Sequence, residues 1–235
     1  QEGAFRQALS GIRACQQQGV KVGIRFTPTR ENSADLPGLF ALMAEEGIDR
    51  FYLSHWNYGG RGKGNRADDA ERQTTRQLVT WLFTQAYADW QQGGNREIVT
   101  GNNDCDGVFF LLWVQEHLPD HYERALTLLQ RWGGNASGVG IANIDNRGVV
   151  HPDIFWWDHA LGSLREQSFA AIWQQSSDPL LLGLRQKPRP VKGRCGQCRY
   201  LAICGGNTRV RAWQTSGDPW AEDPGCYLED GEVLS

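Results

Sequence analysis

Residues 193–212 read GRCGQCRYLAICGGNTRVRA, a stretch holding three of the chain's six cysteines and no acidic residue. Two residues separate Cys195 from Cys198, five lie before Cys204, and twenty-one more precede Cys226. A two-residue gap lets both sulfurs face one metal centre from a single turn. Four such thiolates bind either tetrahedral zinc or a cubane iron–sulfur cluster. A zinc ribbon usually brings two close pairs, and here the second half has none. The spacing therefore favours a larger object that the chain wraps, with zinc and unrelated thiols as the alternatives.

Charge sharpens that reading. Between Arg185 and Arg211 lie eight basic residues and no acidic one, while residues 212–235 hold six acidic and no basic ones. A cubane with four thiolates is an anion that cations and N–H groups stabilise. The same cations suit a carboxylate-rich substrate. A solvated basic loop paired with an acidic tail is the plainer alternative.

Working outward, 235 residues are enough for one large domain or two small ones. With 24 Lys and Arg against 27 Asp and Glu, bulk charge points to neither nucleic acid nor a membrane surface. No apolar run approaches the ~20 residues of a membrane span, and no secretory signal opens the chain. The first residue is Gln1 and the only methionine is Met43, so the chain is expected to be a piece of a longer protein. Unevenly placed cysteines in a chain with a full aliphatic core suggest ligands in a reducing, cytoplasmic compartment rather than disulfides.

The first hundred residues alternate helical and strand patterns. Phe5, Ala8, Leu9, Ile12 and Cys15 fall at helical spacing, which predicts a buried, inert Cys15. A strand is expected over VKVGIRFT (20–27), a helix through Leu36, Leu39, Phe40 and Met43, and a strand from Asp49 to His55. A long helix over about 69–92 places Trp81 and Trp90 toward the core. This order implies an α/β fold with parallel strands wrapped by helices, its chemistry at the strands' carboxyl ends. Helices are expected over 104–117 and 119–132, then a hairpin turning at Asp145–Gly148. Short helices follow around 168–175 and 178–185. The expected division is 1–100, connecting helices 101–135, and a cysteine-bearing α+β domain 136–235.

GRCGQCRYLAICGGNTRVRA with the later GDPWAEDPGCYL resembles the auxiliary-cluster region of radical SAM enzymes with a SPASM or twitch domain, above all the NirJ-like enzymes of heme d1 biosynthesis. GIRFTPTREN, FYLSHWNYGGRG, VTGNND, NIDNRGVVHPD and LRQKPRP extend the likeness along the chain. The resemblance implies the C-terminal part of a partial (β/α) barrel followed by a small α+β domain. It makes Cys195, Cys198, Cys204 and Cys226 the ligands of an auxiliary 4Fe–4S cluster. S-adenosylmethionine and a second 4Fe–4S cluster are expected with the remainder of the protein. The C-x3-C-x2-C motif of that second cluster is absent from these residues, so the chain alone is expected to be inactive. Ser137 and Asp153 stand where fuller SPASM domains add cysteines, so one auxiliary cluster is expected. The NirJ-like branch implies oxidation of two propionate chains of didecarboxysiroheme, an iron tetrapyrrole, with a ferredoxin or flavodoxin as electron donor. Heme propionate decarboxylation, a peptide substrate and a non-catalytic zinc module are the alternatives.

Other candidates follow from position. Arg25 and Thr27 share the polar side of the first strand, where an inward arginine needs a partner; the SAM carboxylate or ribose, or a structural ion pair, answers equally. His55, Arg61 and His151 are candidates for substrate contact, with a plain glycine loop and a strand cap as the bland readings. Asn102, Asn103 and Asp104 read as a helix N-cap. Flanking carboxylates argue against Cys105 as a nucleophile.

Overall fold

The computed structural model describes residues 3–234. They form two compact units, one from the residues up to His55 with Asp68–Gly101, the other from Trp56–Ala67 with Asn102 onward.

In the first unit, helix α1 (Ala4–Gln17), strand β1 (Gly23–Phe26), helix α2 (Leu36–Glu45), strand β2 (Arg50–Ser54), helix α3 (Arg72–Gln91) and strand β3 (Glu97–Gly101) follow one another. The sheet is parallel throughout, in the order β1-β2-β3. Alternation decides its faces. Phe51 and Leu53 are buried with Leu36, Phe40, Met43, Val79 and Leu82, and Phe40 packs on the Phe51 ring at 4.8 Å. Arg25, Tyr52 and Ser54 share the other face. There Arg25 donates to Ser54 Oγ at 2.7 Å and lies over the Tyr52 ring.

Three expectations need correcting. Cys15 is exposed, because α1 has a sided apolar pattern but buries no residue. Trp90 is 64 % exposed and stacks on Tyr87 instead of entering the core. Strand β3 was not foreseen, since EIVTG is short, ends in glycine and does not alternate cleanly between apolar and polar residues.

The second unit opens with α4 (Cys105–His117) and α5 (Tyr122–Trp132). An antiparallel sheet follows, β4 (Asn143–Ile144), β5 (Val149–His151) and β6 (Gly162–Ser163), of which β6 was also unforeseen. The Asp145 carboxylate accepts the N–H groups of Arg147 and Val149, both at 2.9 Å, and so fixes the hairpin turn. Helix α6 (Phe169–Gln174) is capped by Ser168. Helix α7 (Pro179–Arg185) is capped by Asp178 and has proline at its first position. Then come α8 (Gly193–Gln197), α9 (Leu201–Cys204), α10 (Arg209–Ser216) and α11 (Asp230–Val233).

Trp156, Leu180, Leu184 and Val210 form a buried cluster against which Phe155 and Trp220 pack. Gly183 admits the Trp220 ring: a Cβ there would meet it at 2.3 Å. Gly183→Ala should therefore displace Trp220 and cost about 1–3 kcal/mol in urea unfolding. An unchanged midpoint would show that Trp220 does not seal this core.

Candidate metal centre

The cysteines come from two short helices and a tail. Cys195 lies in α8, Cys198 just after it, Cys204 ends α9, and Cys226 lies in the segment before α11. After Cys204, Gly205, Gly206 and Asn207 take φ values of 63°, 77° and 64°. Three left-handed residues in series reverse the chain tightly, and glycine and asparagine adopt that conformation at least cost. The loop also packs closely: a Cβ on Gly134 would meet the Cys204 carbonyl at 2.4 Å. With these constraints, the thiols of Cys195, Cys198, Cys204 and Cys226 line one cavity, together with Cys105, Val108, Leu201 and Leu228.

A buried polar network fixes this arrangement. Arg211 grips Asp223 through Nε at 3.0 Å and Nη2 at 2.9 Å, and both side chains are about 1 % exposed. Arg211 also donates to Asn103 Oδ1 at 3.1 Å and to the Asn102 carbonyl at 2.9 Å. Asn207 donates to both Asn103 and Asp223. The Asp223 N–H points at the Cys195 sulfur, 3.3 Å away. Tyr227 donates to Asp106 Oδ1 at 2.6 Å, which anchors the residue after Cys226 on α4. The expected cap is thus corrected: Asp104 is the N-cap of α4 but its side chain makes no capping bond, while Asn103 joins the network.

Burial governs the thiols. It pushes Cys204 and Cys105 well above the ordinary thiol value, and it raises Cys195 and Cys198 as well. Cys226 is held down to about 6, chiefly by the neighbouring Cys105 side chain, against the effect of burial. Burial would also raise Asp223, but Arg211 and Arg209 outweigh it and hold this carboxyl low. Ionising all four cysteines therefore needs a cationic centre between them.

Two further observations test the fit of such a centre. Arg189 and Arg209 are buried, and neither forms an ion pair among the described residues. Arg189 donates to the carbonyls of Leu184, Asn135, Gly205 and Ser137, and Arg209 to those of Asn207, Pro219, Ala221 and Gly206. A cationic core with its four thiolates counted is a net anion, and that would offset part of the cost of burying these charges. Among the described residues no three His, Cys, Asp or Glu form a group that could hold a metal ion.

The other candidates lie elsewhere. Arg25 and Thr27 are on and after β1, and His55 is buried directly after β2. In the second unit Arg61 is exposed, whereas His151 is buried with Nδ1 on the His159 carbonyl at 2.8 Å. Ser137 donates to Asp153, so these two residues pair with each other. A second cavity of about 640 Å³ lies beside the cysteine loop, lined in part by Trp132, Val139, Leu184, Lys187 and Pro188; Arg61 and His151 are not in its wall.

Asn207 and Asp223 escaped sequence reading. The only local signal was the Gly-Gly-Asn run after Cys204, a composition of left-handed turns.

Two outcomes are expected. Arg211→Met should cost ~3–5 kcal/mol in denaturant unfolding, because Asp223 is left buried without its cation; a loss below ~1 kcal/mol would contradict the network's role. Burial raises the Asp153 carboxyl, against the hydrogen bonds from Ser137, Phe155 and Trp156. A folded carboxyl that keeps its proton longer than the unfolded one loses stability as pH rises from about 4 through its raised value. Asp153→Asn should thus gain on the wild type between acid and neutral pH. A stability difference independent of pH would contradict this.

No family model matches the chain. It is 50 % identical over 233 residues to pre-heme d1 synthase of Dinoroseobacter shibae, covering 98 % of this chain and 57 % of that protein. It is 37 % identical over 235 residues to Fe-coproporphyrin III synthase of Methanosarcina barkeri, covering 99 % and 59 %. The chain thus spans less than two thirds of the length of these curated relatives. The crystal structure of Streptococcus suis SuiB bound to S-adenosylmethionine superposes with a TM-score of 0.61 at 18 % identity, covering 94 % of this chain and 48 % of that one. Among the described residues no helix is long and apolar enough to cross a membrane. The chain is a homologue of pre-heme d1 synthase, with the mixed α/β fold of radical SAM enzymes that carry SPASM domains.

Proposed function

We propose that this chain is the C-terminal portion of a radical SAM enzyme that converts propionate side chains of an iron tetrapyrrole, didecarboxysiroheme, to oxygen functions. Cys195, Cys198, Cys204 and Cys226 hold its auxiliary 4Fe–4S cluster. The observation that carries this reading is the lining of one cavity by those four thiols, in a chain half identical to pre-heme d1 synthase. When bound, the auxiliary cluster supplies one-electron transfer, and AdoMet with a second cluster supplies hydrogen abstraction from the side chain.

The chain's own residues have narrower tasks. The cysteine loop and tail wrap the centre and keep water from it, with Leu201, Leu228 and Val233 as the apolar wall. Of the eight basic residues expected to serve the cluster or the substrate, Arg189, Arg209 and Arg211 are buried, and Lys192 and Arg194 pair with Asp218 and Asp230. Lys187 is exposed in the 640 Å³ cavity. That volume lies in the range of small-molecule sites, and a mixed apolar and polar wall that includes Lys187 and Arg189 suits a macrocycle bearing carboxylates. Arg25 and Thr27 toward AdoMet, and His55, Arg61 and His151 toward substrate, remain part of this proposal. A ferredoxin or flavodoxin in a reducing cytoplasm completes it.

The test is anaerobic turnover of the full-length gene product with AdoMet, a reductant and didecarboxysiroheme. Loss of both propionates from the tetrapyrrole is expected, with at least tenfold less product from Lys187→Glu. Turnover of a heme or a peptide, with didecarboxysiroheme untouched, would overturn the substrate assignment.

A further inference from the structure

The four sulfurs are not equivalent in what they touch. Cys195 takes the backbone N–H of Asp223, and Cys198 that of Tyr200. Cys226 collects two donors. The Leu228 N–H is one. Arg194 is the other, with Nη1 3.2 Å from the Cys226 sulfur.

The Arg194 donor is held in place. Arg194 spends Nε on Asp230 at 2.5 Å and Nη2 on the Leu228 carbonyl, so its remaining N–H groups are aimed at Cys226 by bonds on either side. Arg194 also stands next to Cys195 in sequence. Its guanidinium therefore ties the first cysteine segment to the last. Cys105, fully buried on α4, lines the same cavity but donates its thiol proton to Asn103 Oδ1 at 3.1 Å.

We propose that Arg194 is a positioning residue that donates a hydrogen bond to the Cys226 sulfur and so sets the reduction potential of the centre. The proposal rests on the reading of the four cysteines as cluster ligands. Reduction adds negative charge that spreads onto the ligand sulfurs, and donors to those sulfurs stabilise the reduced state more than the oxidised one. The Leu228 N–H and Arg194 concentrate that effect at one corner, and the cation of Arg194 adds to it.

The test is anaerobic purification of the cysteine-bearing protein as the wild type, Arg194→Met and Arg194→Lys. Iron and sulfide per chain are measured first, then the midpoint of a reductive titration followed by electron paramagnetic resonance. Wild-type iron content with a midpoint shifted to more negative potential is expected for Arg194→Met. Arg194→Lys, which keeps the charge, should recover most of the shift, and it answers the question if Arg194→Met folds poorly. Midpoints unmoved across the set, with iron retained, overturn the proposal, since a merely structural role changes iron content alone. A wild type without iron and sulfide overturns the ligand reading itself.

Discussion

The buried pair of Arg211 and Asp223 is the constraint around which the second unit is arranged. Its two parallel hydrogen bonds fix the guanidinium and carboxylate planes together. Asn103 and Asn207 complete the cluster, so that the start of α4, the turn after Cys204, α10 and the tail before Cys226 meet at one point. These four segments carry or adjoin the cavity's cysteines. A buried ion pair adds little net stability over an apolar replacement, yet removing one partner is costly. Its physical value here is geometric: the tail that bears Cys226 has one place to go.

The same interior bears on the occupant proposed for the site. Burial favours neutral thiols at Cys195, Cys198 and Cys204, and it disfavours the charges of Arg189 and Arg209. An anionic thiolate cluster answers both conditions together, with folding and loading linked. The basic run between Arg185 and Arg211 has a corresponding division of labour. Its buried members brace carbonyls of the loop and tail, Lys192 and Arg194 pair with Asp218 and Asp230, and Lys187 is exposed in the second cavity.

Much of this was legible in the sequence where local rules decide the outcome. The spacing of four cysteines singled out the residues that line the cavity, and strand alternation gave the parallel β1-β2 pair with the faces of Arg25 and Phe51. Periodicity assigns a residue to a face but does not say whether anything covers it, which is why Cys15 and Trp90 were misplaced. Strand β3 was missed because EIVTG is short and lacks clean alternation, so only its pairing with β2 marks it as a strand. The polar network was illegible for another reason. Asn103, Asn207, Arg211 and Asp223 are up to 120 residues apart, and only tertiary packing tells a buried asparagine from a cap.

The central claim is that Cys195, Cys198, Cys204 and Cys226 enclose an iron–sulfur cubane. Metal and sulfide analysis of this chain, made and kept without oxygen, tests it most directly. About four irons and four inorganic sulfides per chain are expected for one 4Fe–4S cluster. One zinc per chain with no sulfide, in protein that has never met oxygen, would contradict it.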